Sequence, residues 1–149
     1  MKSTVWFWVV IMGAMAVSPS ATWAGFTDNG NGTVSDSTSG LVWQQTTAPG
    51  QYLWGQALAY CEGLNLGDAT DWRLPDRNEL QSLVDYSRSL PSIDTTFFPY
   101  TNTTSPYYSS TTAADDSSRV WCVSFYDGNV DALLKSESGY KVRCVRGGM

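Results

Sequence analysis

Histidine is absent from the 149 residues, and this absence excludes a large part of enzyme chemistry. A chain without imidazole has no Ser-His or Cys-His nucleophile pair, no H-E-x-x-H zinc motif and no imidazole base at neutral pH. Carboxylates, tyrosines and lysines remain as acid–base groups. No spacing among the carboxylates singles out the pair that glycoside hydrolysis needs. The sequence therefore predicts no catalytic residue, no cofactor and no enzyme.

Long apolar runs are also scarce, and the single one lies at the N-terminus, where Lys2 precedes the apolar residues 5–17. A membrane span needs about 20 apolar residues, so this run is short for an anchor helix, which is the alternative interpretation. A break at 18–20 and the small residues of Thr22-Trp23-Ala24 have the form of a signal-peptide cleavage site. We predict a signal peptide over 1–24 and one domain over 25–149. The mature protein is then secreted, periplasmic or at the cell surface, with no membrane segment.

Positive charge is scarce in the predicted mature chain. Without Lys2, 8 of the 9 basic residues remain beside 14 acidic ones, a net charge of −6. An acidic chain repels phosphate backbones, so nucleic acid is excluded as a partner.

The cysteine count is odd, with Cys61, Cys122 and Cys144. An exported protein of this size favours disulfides, and the sequence permits any of three pairings. Cys122 lies in an alternating segment on the same face as Val120 and Ser124. A buried free thiol and an intermolecular disulfide both remain open for it. Three cysteines without histidine make no zinc site, and no metal is predicted.

The first part of the mature chain has the turn signals of a β-hairpin. Two Asn-Gly pairs between Phe26 and Val34 tolerate positive φ, and strands are predicted over 33–36 and 41–44. The nearby Asp and Asn residues suggest a calcium loop, but Gly30 and Gly32 occupy the third and fifth positions of the EF-hand pattern. We therefore predict turn chemistry here.

Two helices are predicted in the middle of the chain. Residues 53–64 carry an apolar stripe that includes Ala57 and Cys61. Pro75 favours an extended connector before it. Asp76 and Glu79 then have the spacing of a capping box, which begins a second helix that ends near Ser87.

Residues 91–119 form a long stretch with no convincing helix, rich in Thr, Ser, Asn, Pro and Tyr. Long loops in compact domains are usually functional or disordered. Exposed aromatics make good contact residues, so Tyr100 and Tyr107 are candidate binding residues, although Tyr107 could instead cover the core. Three short strands close the chain, over 120–126, 130–134 and 140–145.

The motifs along the mature chain, in order, resemble a known family. They are Gly32-Thr-Val-x-Asp36, Thr38-x-Gly-Leu-x-Trp43, Trp54-x-x-Ala-Leu-x-Tyr-Cys61, Asp71-Trp-Arg-Leu-Pro75, Glu79-Leu-Gln-Ser-Leu-Val-Asp85, Tyr108-Ser-Ser-Thr111, Trp121-x-Val-x-Phe125 and Val142-Arg-Cys-Val-Arg-Gly147. Together they resemble the DUF1566 family, also named after the C-terminal domain of a Legionella collagen-like protein. Tyr108 stands where the family usually has Trp, and Cys122 where it usually has another residue.

The resemblance implies an α+β fold similar to C-type lectins, with two helices packed on short antiparallel strands and a long irregular loop region. It implies a Cys61–Cys144 disulfide between the first helix and the last strand, and leaves Cys122 unpaired. It also implies that the long loop is the recognition surface. The sulfated glycosaminoglycan ligand of the namesake is not carried over, because this chain is acidic and lacks the collagen-like repeat.

We therefore expect an exported, non-catalytic binding or adhesion module that recognises a glycan or a protein at the cell surface. The alternatives are a structural accessory subunit of a pilus or envelope complex, and a variable protein of a diversity-generating retroelement. A second candidate site is a basic patch that would include Lys141 and Arg143; its other members are Lys135, Arg146 and Arg73. Asp71 and Arg73 are expected to pair within the structure rather than to hold a ligand.

Overall fold

The computed structural model describes residues 25–148, so the predicted signal peptide lies outside the described residues. Within this range the chain forms two helices and seven strands, and the strands form two antiparallel sheets. This confirms the α+β fold class. The elements are β1 (Phe26–Asp28), β2 (Thr33–Asp36), β3 (Leu41–Gln44), α1 (Trp54–Glu62), α2 (Arg77–Ser82), β4 (Tyr107–Thr112), β5 (Arg119–Val123), β6 (Val130–Leu134) and β7 (Val145–Gly147). No helix in 25–148 is long and apolar enough to cross a membrane.

The first sheet joins the beginning of the domain to its last strand, in the order β1-β2-β3-β7. Trp43 is the Cα partner of both Val34 and Val145. The turn before β2 has the predicted chemistry: Gly30 and Gly32 have positive φ, and Asp28 Oδ1 accepts a hydrogen bond of 2.8 Å from the Gly30 amide. The side chains of this turn therefore support the hairpin.

The second sheet has the order β4-β5-β6, and its first strand corrects the sequence analysis, which predicted irregular chain over 91–119. Strand β4 lies inside that stretch. Adjacent Tyr107 and Tyr108 are both fully buried, but in two different core clusters. The sheet is thus covered on both faces, and a doubly covered strand shows no apolar–polar alternation. Ser109 is buried as well and donates to the Trp121 carbonyl at 2.7 Å.

Helix α2 is shorter than predicted. Its capping box forms as expected, because Asp76 Oδ1 accepts from the Glu79 amide at 2.8 Å and Glu79 Oε2 accepts from the Asp76 amide at 2.9 Å. The helix ends at Ser82, not near Ser87. The Asp85 amide donates to the Ser92 carbonyl at 3.0 Å, so the chain has already left the helical path there.

The last strand also lies later than predicted, at Val145–Gly147 and not 140–145. Tyr140 and Lys141 make only isolated bridges, to Tyr52 and to Tyr107. The predicted disulfide is present: Cys61 and Cys144 are bonded, 83 residues apart in sequence and 5.5 Å apart between Cα atoms. Both are fully buried, and the bond ties α1 to the segment that precedes β7.

Candidate functional site

Tyr100 is the most exposed large hydrophobic side chain in the described part of the chain, at 88% exposure. Its φ of 61° lies in the left-handed region, which a bulky residue seldom adopts. Phe98, two residues earlier, is fully buried in the core cluster that also contains Tyr107. The chain thus anchors one aromatic ring inside and presents the other to solvent two residues later.

Polar contacts hold the backbone on the C-terminal side of Tyr100. The Asn102 amide donates to the Tyr107 hydroxyl at 2.8 Å, and that hydroxyl also shares a hydrogen bond of 2.6 Å with Thr47 Oγ1. Asn102 Oδ1 accepts from the amides of Thr104 and Ser105 at 3.0 and 3.2 Å. The loop over 98–105, called here the Tyr100 loop, is therefore fixed by the body of the domain.

Tyr107 has a different role from the predicted one. Its ring is fully buried and packs edge-on against Phe125, with 4.9 Å between centroids. It cannot contact a ligand on the surface, and its hydroxyl instead positions the Tyr100 loop. The alternative in which Tyr107 covers the core is the one that the structure adopts.

Arg143 is fully buried too, so it is not a surface cation. Its Nη2 donates to the Gln45 carbonyl at 3.3 Å and to Thr101 Oγ1 at 3.0 Å. The guanidinium carbon lies over three aromatic rings, 4.8 Å from the centroid of Phe98, 5.6 Å from Tyr107 and 5.8 Å from Phe125.

No described carboxylate pairs with Arg143, and its Nε and Nη1 have no hydrogen-bond acceptor within 25–148. The faces of the three rings supply the negative potential that a carboxylate would otherwise give. Burial lowers the pKa of Arg143 to about 10, so the group stays charged at neutral pH. Arg143 therefore contributes to the core and to the Tyr100 loop rather than to a ligand surface.

The predicted basic patch is not assembled, because its other members are engaged elsewhere. Arg73 makes two hydrogen bonds to Glu79, of 2.7 and 2.6 Å, and Arg146 Nε donates to Asp71 at 2.6 Å. Lys135 Nζ lies 4.1 Å from the Trp54 ring centroid.

Lys141 is half-buried and donates to the Gly50 carbonyl at 3.1 Å. Of the four predicted binding residues, Tyr100 and Lys141 therefore reach solvent, whereas Tyr107 and Arg143 do not. Asp71 and Arg73 both pair within the structure, as expected.

A second exposed aromatic surface was missed by the sequence analysis. Tyr86 is 67% exposed, Leu90 59% and Tyr126 51%. The Leu90 amide donates to the Tyr126 carbonyl at 3.1 Å, and Gly128 lies close to the Tyr86 ring. Tyr86 fell inside the predicted second helix, so nothing in the sequence brought it near Tyr126.

Cys122 is the free cysteine, and it is buried. Burial, and to a lesser extent the Asp131 carboxylate, raises its pKa to about 12. The thiol is therefore neutral at physiological pH. Within residues 25–148, no group of three or more Cys, Asp or Glu side chains has the geometry of a metal site.

The family model for the Lcl C-terminal domain matches residues 32–146. The chain belongs to this family. The match runs from the turn before β2 into β7, so it includes the disulfide, the Tyr100 loop, the second sheet and the first sheet except β1. No curated protein matches the chain.

Proposed function

We propose that the protein is an exported, non-catalytic binding module that recognises a glycan or protein partner at the cell surface through the Tyr100 loop. This proposal rests on one observation: the Tyr100 side chain is exposed, while hydrogen bonds hold the backbone of its loop in place. A disordered tyrosine would lose entropy when it binds, and a buried one could not bind. Tyr100 is neither, which is the condition of an effective interface anchor.

The backbone of Tyr100 supports this interpretation. A bulky residue at positive φ costs about 1–3 kcal/mol and persists only where its surroundings impose it. The buried Phe98 on one side and the Asn102–Tyr107 hydrogen bond on the other impose it here. The fold therefore tolerates an unfavourable backbone conformation that keeps the Tyr100 ring exposed to water. This favours a role for Tyr100 in contacting a partner.

The charges of the chain narrow the ligand class. The predicted mature chain is acidic. Of the cations expected in a basic patch, Arg73 and Arg146 are paired with carboxylates and Arg143 is buried. Polyanions such as sulfated glycans are therefore disfavoured. A neutral sugar ring or an apolar protein surface can stack on Tyr100 without desolvating a charge.

The carboxylates favour a non-catalytic role. Glu79 accepts from Arg73 and caps α2, and Asp71 is paired with Arg146. Arg73 holds the pKa of Glu79 below its ordinary value, and Arg146 does the same for Asp71. A general acid needs the opposite shift, so these groups are adapted to structure rather than to proton transfer.

The buried disulfide supports export, because such bonds form in oxidising compartments. The proposal includes a C-type lectin-like domain. The disulfide between the first helix and the segment before the last strand supports this part of the proposal.

The proposal is tested by comparing Tyr100→Ala with Tyr86→Ala, a matched change at another exposed tyrosine. Both variants and the unchanged protein are applied to a glycan array and to an envelope extract from the producing organism. We expect Tyr100→Ala to weaken each captured interaction by about 1–3 kcal/mol, while Tyr86→Ala has no effect. Loss of binding in Tyr86→Ala alone would move the site to the second aromatic surface.

A further inference from the structure

Strand β6 forms one edge of the second sheet, and its outer side has no partner strand within residues 25–148. The register of the β5–β6 pair shows which backbone groups face outward. The Ser124 amide donates to the Asn129 carbonyl at 2.8 Å, and the Lys135 amide donates to the Ser118 carbonyl at 2.9 Å. Odd-numbered residues of β6 therefore bond to β5. Val130, Ala132 and Leu134 direct their amides and carbonyls away from the sheet.

Some of these outward groups are already satisfied. The Ala132 carbonyl accepts from Arg119 Nη1 at 3.0 Å, and the Leu134 carbonyl accepts from the Glu137 amide at 3.2 Å. The amides of Val130, Ala132 and Leu134 find no acceptor within 25–148. A row of free amides on a sheet edge is a template for an added strand.

Edges of this kind are usually protected, but β6 carries neither proline nor lysine between its first and last residue. It carries one charge, the exposed Asp131. The Asp131 carboxylate makes no hydrogen bond or ion pair with any described residue. This edge therefore presents free amides and the unpaired Asp131 carboxylate, and the guanidinium of Arg119 at the Ala132 carbonyl is already paired with Asp116.

A cavity of about 230 Å³ lies beside the same strand. Leu133 and the buried Cys122 contribute apolar wall, and Asp127, Asn129 and Asp131 contribute polar groups. The Asn129 amide donates to Asp127 and helps to keep the pKa of that carboxyl below its ordinary value. The cavity can therefore accept a side chain with an apolar stem and a cationic end.

We propose that β6 accepts an extended strand from a partner protein, with a Lys or Arg of that strand inserted into the cavity beside Asp131. Main-chain hydrogen bonds to Val130, Ala132 and Leu134 would supply affinity, and the cavity would select the cation, as in other strand-addition complexes. The stem of Lys or Arg is apolar, so it fits against Leu133 while its charge reaches Asp131.

A second copy of this chain is a poorer occupant. Antiparallel self-pairing centred on Ala132 would bring two Asp131 carboxylates to one seam between two acidic proteins. A basic foreign strand has the complementary charge. The inference is independent of the Tyr100 loop and goes beyond the proposed function, since it concerns another surface and another mode of recognition.

The test uses a displayed library of ten-residue random peptides, selected on purified protein with its disulfide intact. We expect the recovered peptides to carry Lys or Arg within an alternating β-branched pattern. A fluorescent copy of the most frequent peptide is then titrated against variants by anisotropy. Recovered peptides with no excess of Lys or Arg over the starting library would overturn the proposal.

Ala132→Pro is the decisive variant, because the Ala132 amide faces outward. Proline there removes one external donor and no hydrogen bond within the sheet, and proline is tolerated on edge strands. We expect it to weaken peptide binding at least about tenfold, with an unchanged near-ultraviolet circular dichroism spectrum.

Asp131→Asn provides the second test and does not depend on tolerance of proline. Asp131→Asn should weaken the binding of a peptide that contains Lys or Arg about tenfold. Asp115→Asn, at another exposed carboxylate, should leave this binding unchanged. Equal binding by Asp131→Asn and the unchanged protein would refute the cavity assignment.

A concentration-dependent dimer that Ala132→Pro abolishes would refute the foreign strand in favour of self-pairing. Tyr100→Ala should bind the peptide as tightly as the unchanged protein does. The strand-addition proposal can therefore fail without affecting the proposed function of the Tyr100 loop, and the reverse also holds.

Discussion

Arg143 Nη2 donates to Thr101 Oγ1 at 3.0 Å, across 42 positions in the sequence. This bond joins the segment before the last strand to the Tyr100 loop. The same guanidinium lies among the rings of Phe98, Tyr107 and Phe125. One buried cation thus links the core to the surface that we propose for recognition.

Arg143→Lys is expected to destabilise the protein by about 2 kcal/mol. An ammonium is more strongly hydrated than a guanidinium, and it cannot reproduce the planar contact with three rings. Urea unfolding measures the change, with Lys141→Arg as the control at a half-exposed position. An unfolding midpoint equal to that of the unchanged protein would show that the aromatic surroundings contribute nothing specific.

Tyr107→Phe is expected to lower the free energy of unfolding by about 1–2 kcal/mol, because it removes the short hydrogen bonds of the Asn102 amide and Thr47 Oγ1. These two groups then keep only long contacts, 3.4 Å from the Asn102 amide to Thr47 Oγ1 and 3.5 Å from Thr47 Oγ1 to the Tyr100 carbonyl. Amide hydrogen exchange gives a local readout, and the Asn102 amide should exchange faster in the variant. Tyr126→Phe serves as the control at an exposed tyrosine. Unchanged exchange at Asn102 would argue against the positioning role of the hydroxyl.

Cys144→Ser should cost about 4 kcal/mol in the chain-entropy model, because the disulfide closes a loop of 83 residues. Thermal unfolding under non-reducing conditions measures this. Cys122→Ala changes a buried cysteine without opening the disulfide, and it should cost less. A melting temperature that Cys144→Ser leaves unchanged would contradict the predicted contribution.

Cys122 should resist thiol reagents in the folded protein at pH 8, since its pKa is raised to about 12 and the thiolate is the reactive form. One equivalent should react after unfolding in denaturant. Rapid labelling of the native protein, or a disulfide-linked dimer that a reductant dissolves, would instead support the intermolecular role.

The Arg73–Glu79 pair should make the free energy of unfolding decrease at acidic pH. Hydrogen bonds from Arg73 lower the pKa of Glu79 in the folded state. The Glu79 carboxylate therefore stabilises the fold fully at pH values above the pKa that it has in the unfolded chain. This stabilisation is lost as the pH falls through the lower pKa that Glu79 has in the folded protein. The pair is partly exposed, so we expect only about 1 kcal/mol. Glu79→Gln should show a smaller loss of stability than the unchanged protein below about pH 4.5. Parallel pH profiles would contradict the assignment.

Local signals predicted most of the elements. Asn-Gly turns located β2, a second turn at 37–40 located β3, and the Asp76–Glu79 spacing located the start of α2. Strand β4 could not be predicted in this way, because Tyr107 and Tyr108 face two separate core clusters and the segment shows no alternation.

The candidate site was predictable only in part. An exposed tyrosine in a loop was a sound expectation for Tyr100, but exposure depends on contacts that a sequence does not display. The sequence predicts that Arg143 is a surface cation, because the three aromatic residues that surround it in the fold are distant in the sequence. Tyr86 and Tyr126 likewise come together only through the fold.

The order of the first sheet has a consequence for how the protein reaches its folded form. Strand β7 and Cys144 follow every other described element in the sequence, yet β3 and Cys61 need them as partners. Contacts between such distant residues form slowly. A chain threaded through an export channel from its N-terminus would therefore emerge with the β7 side of β3 unpaired and with Cys61 as a free thiol. The final segment completes the first sheet and the disulfide together. If the protein is exported as proposed, this domain closes late, after translocation.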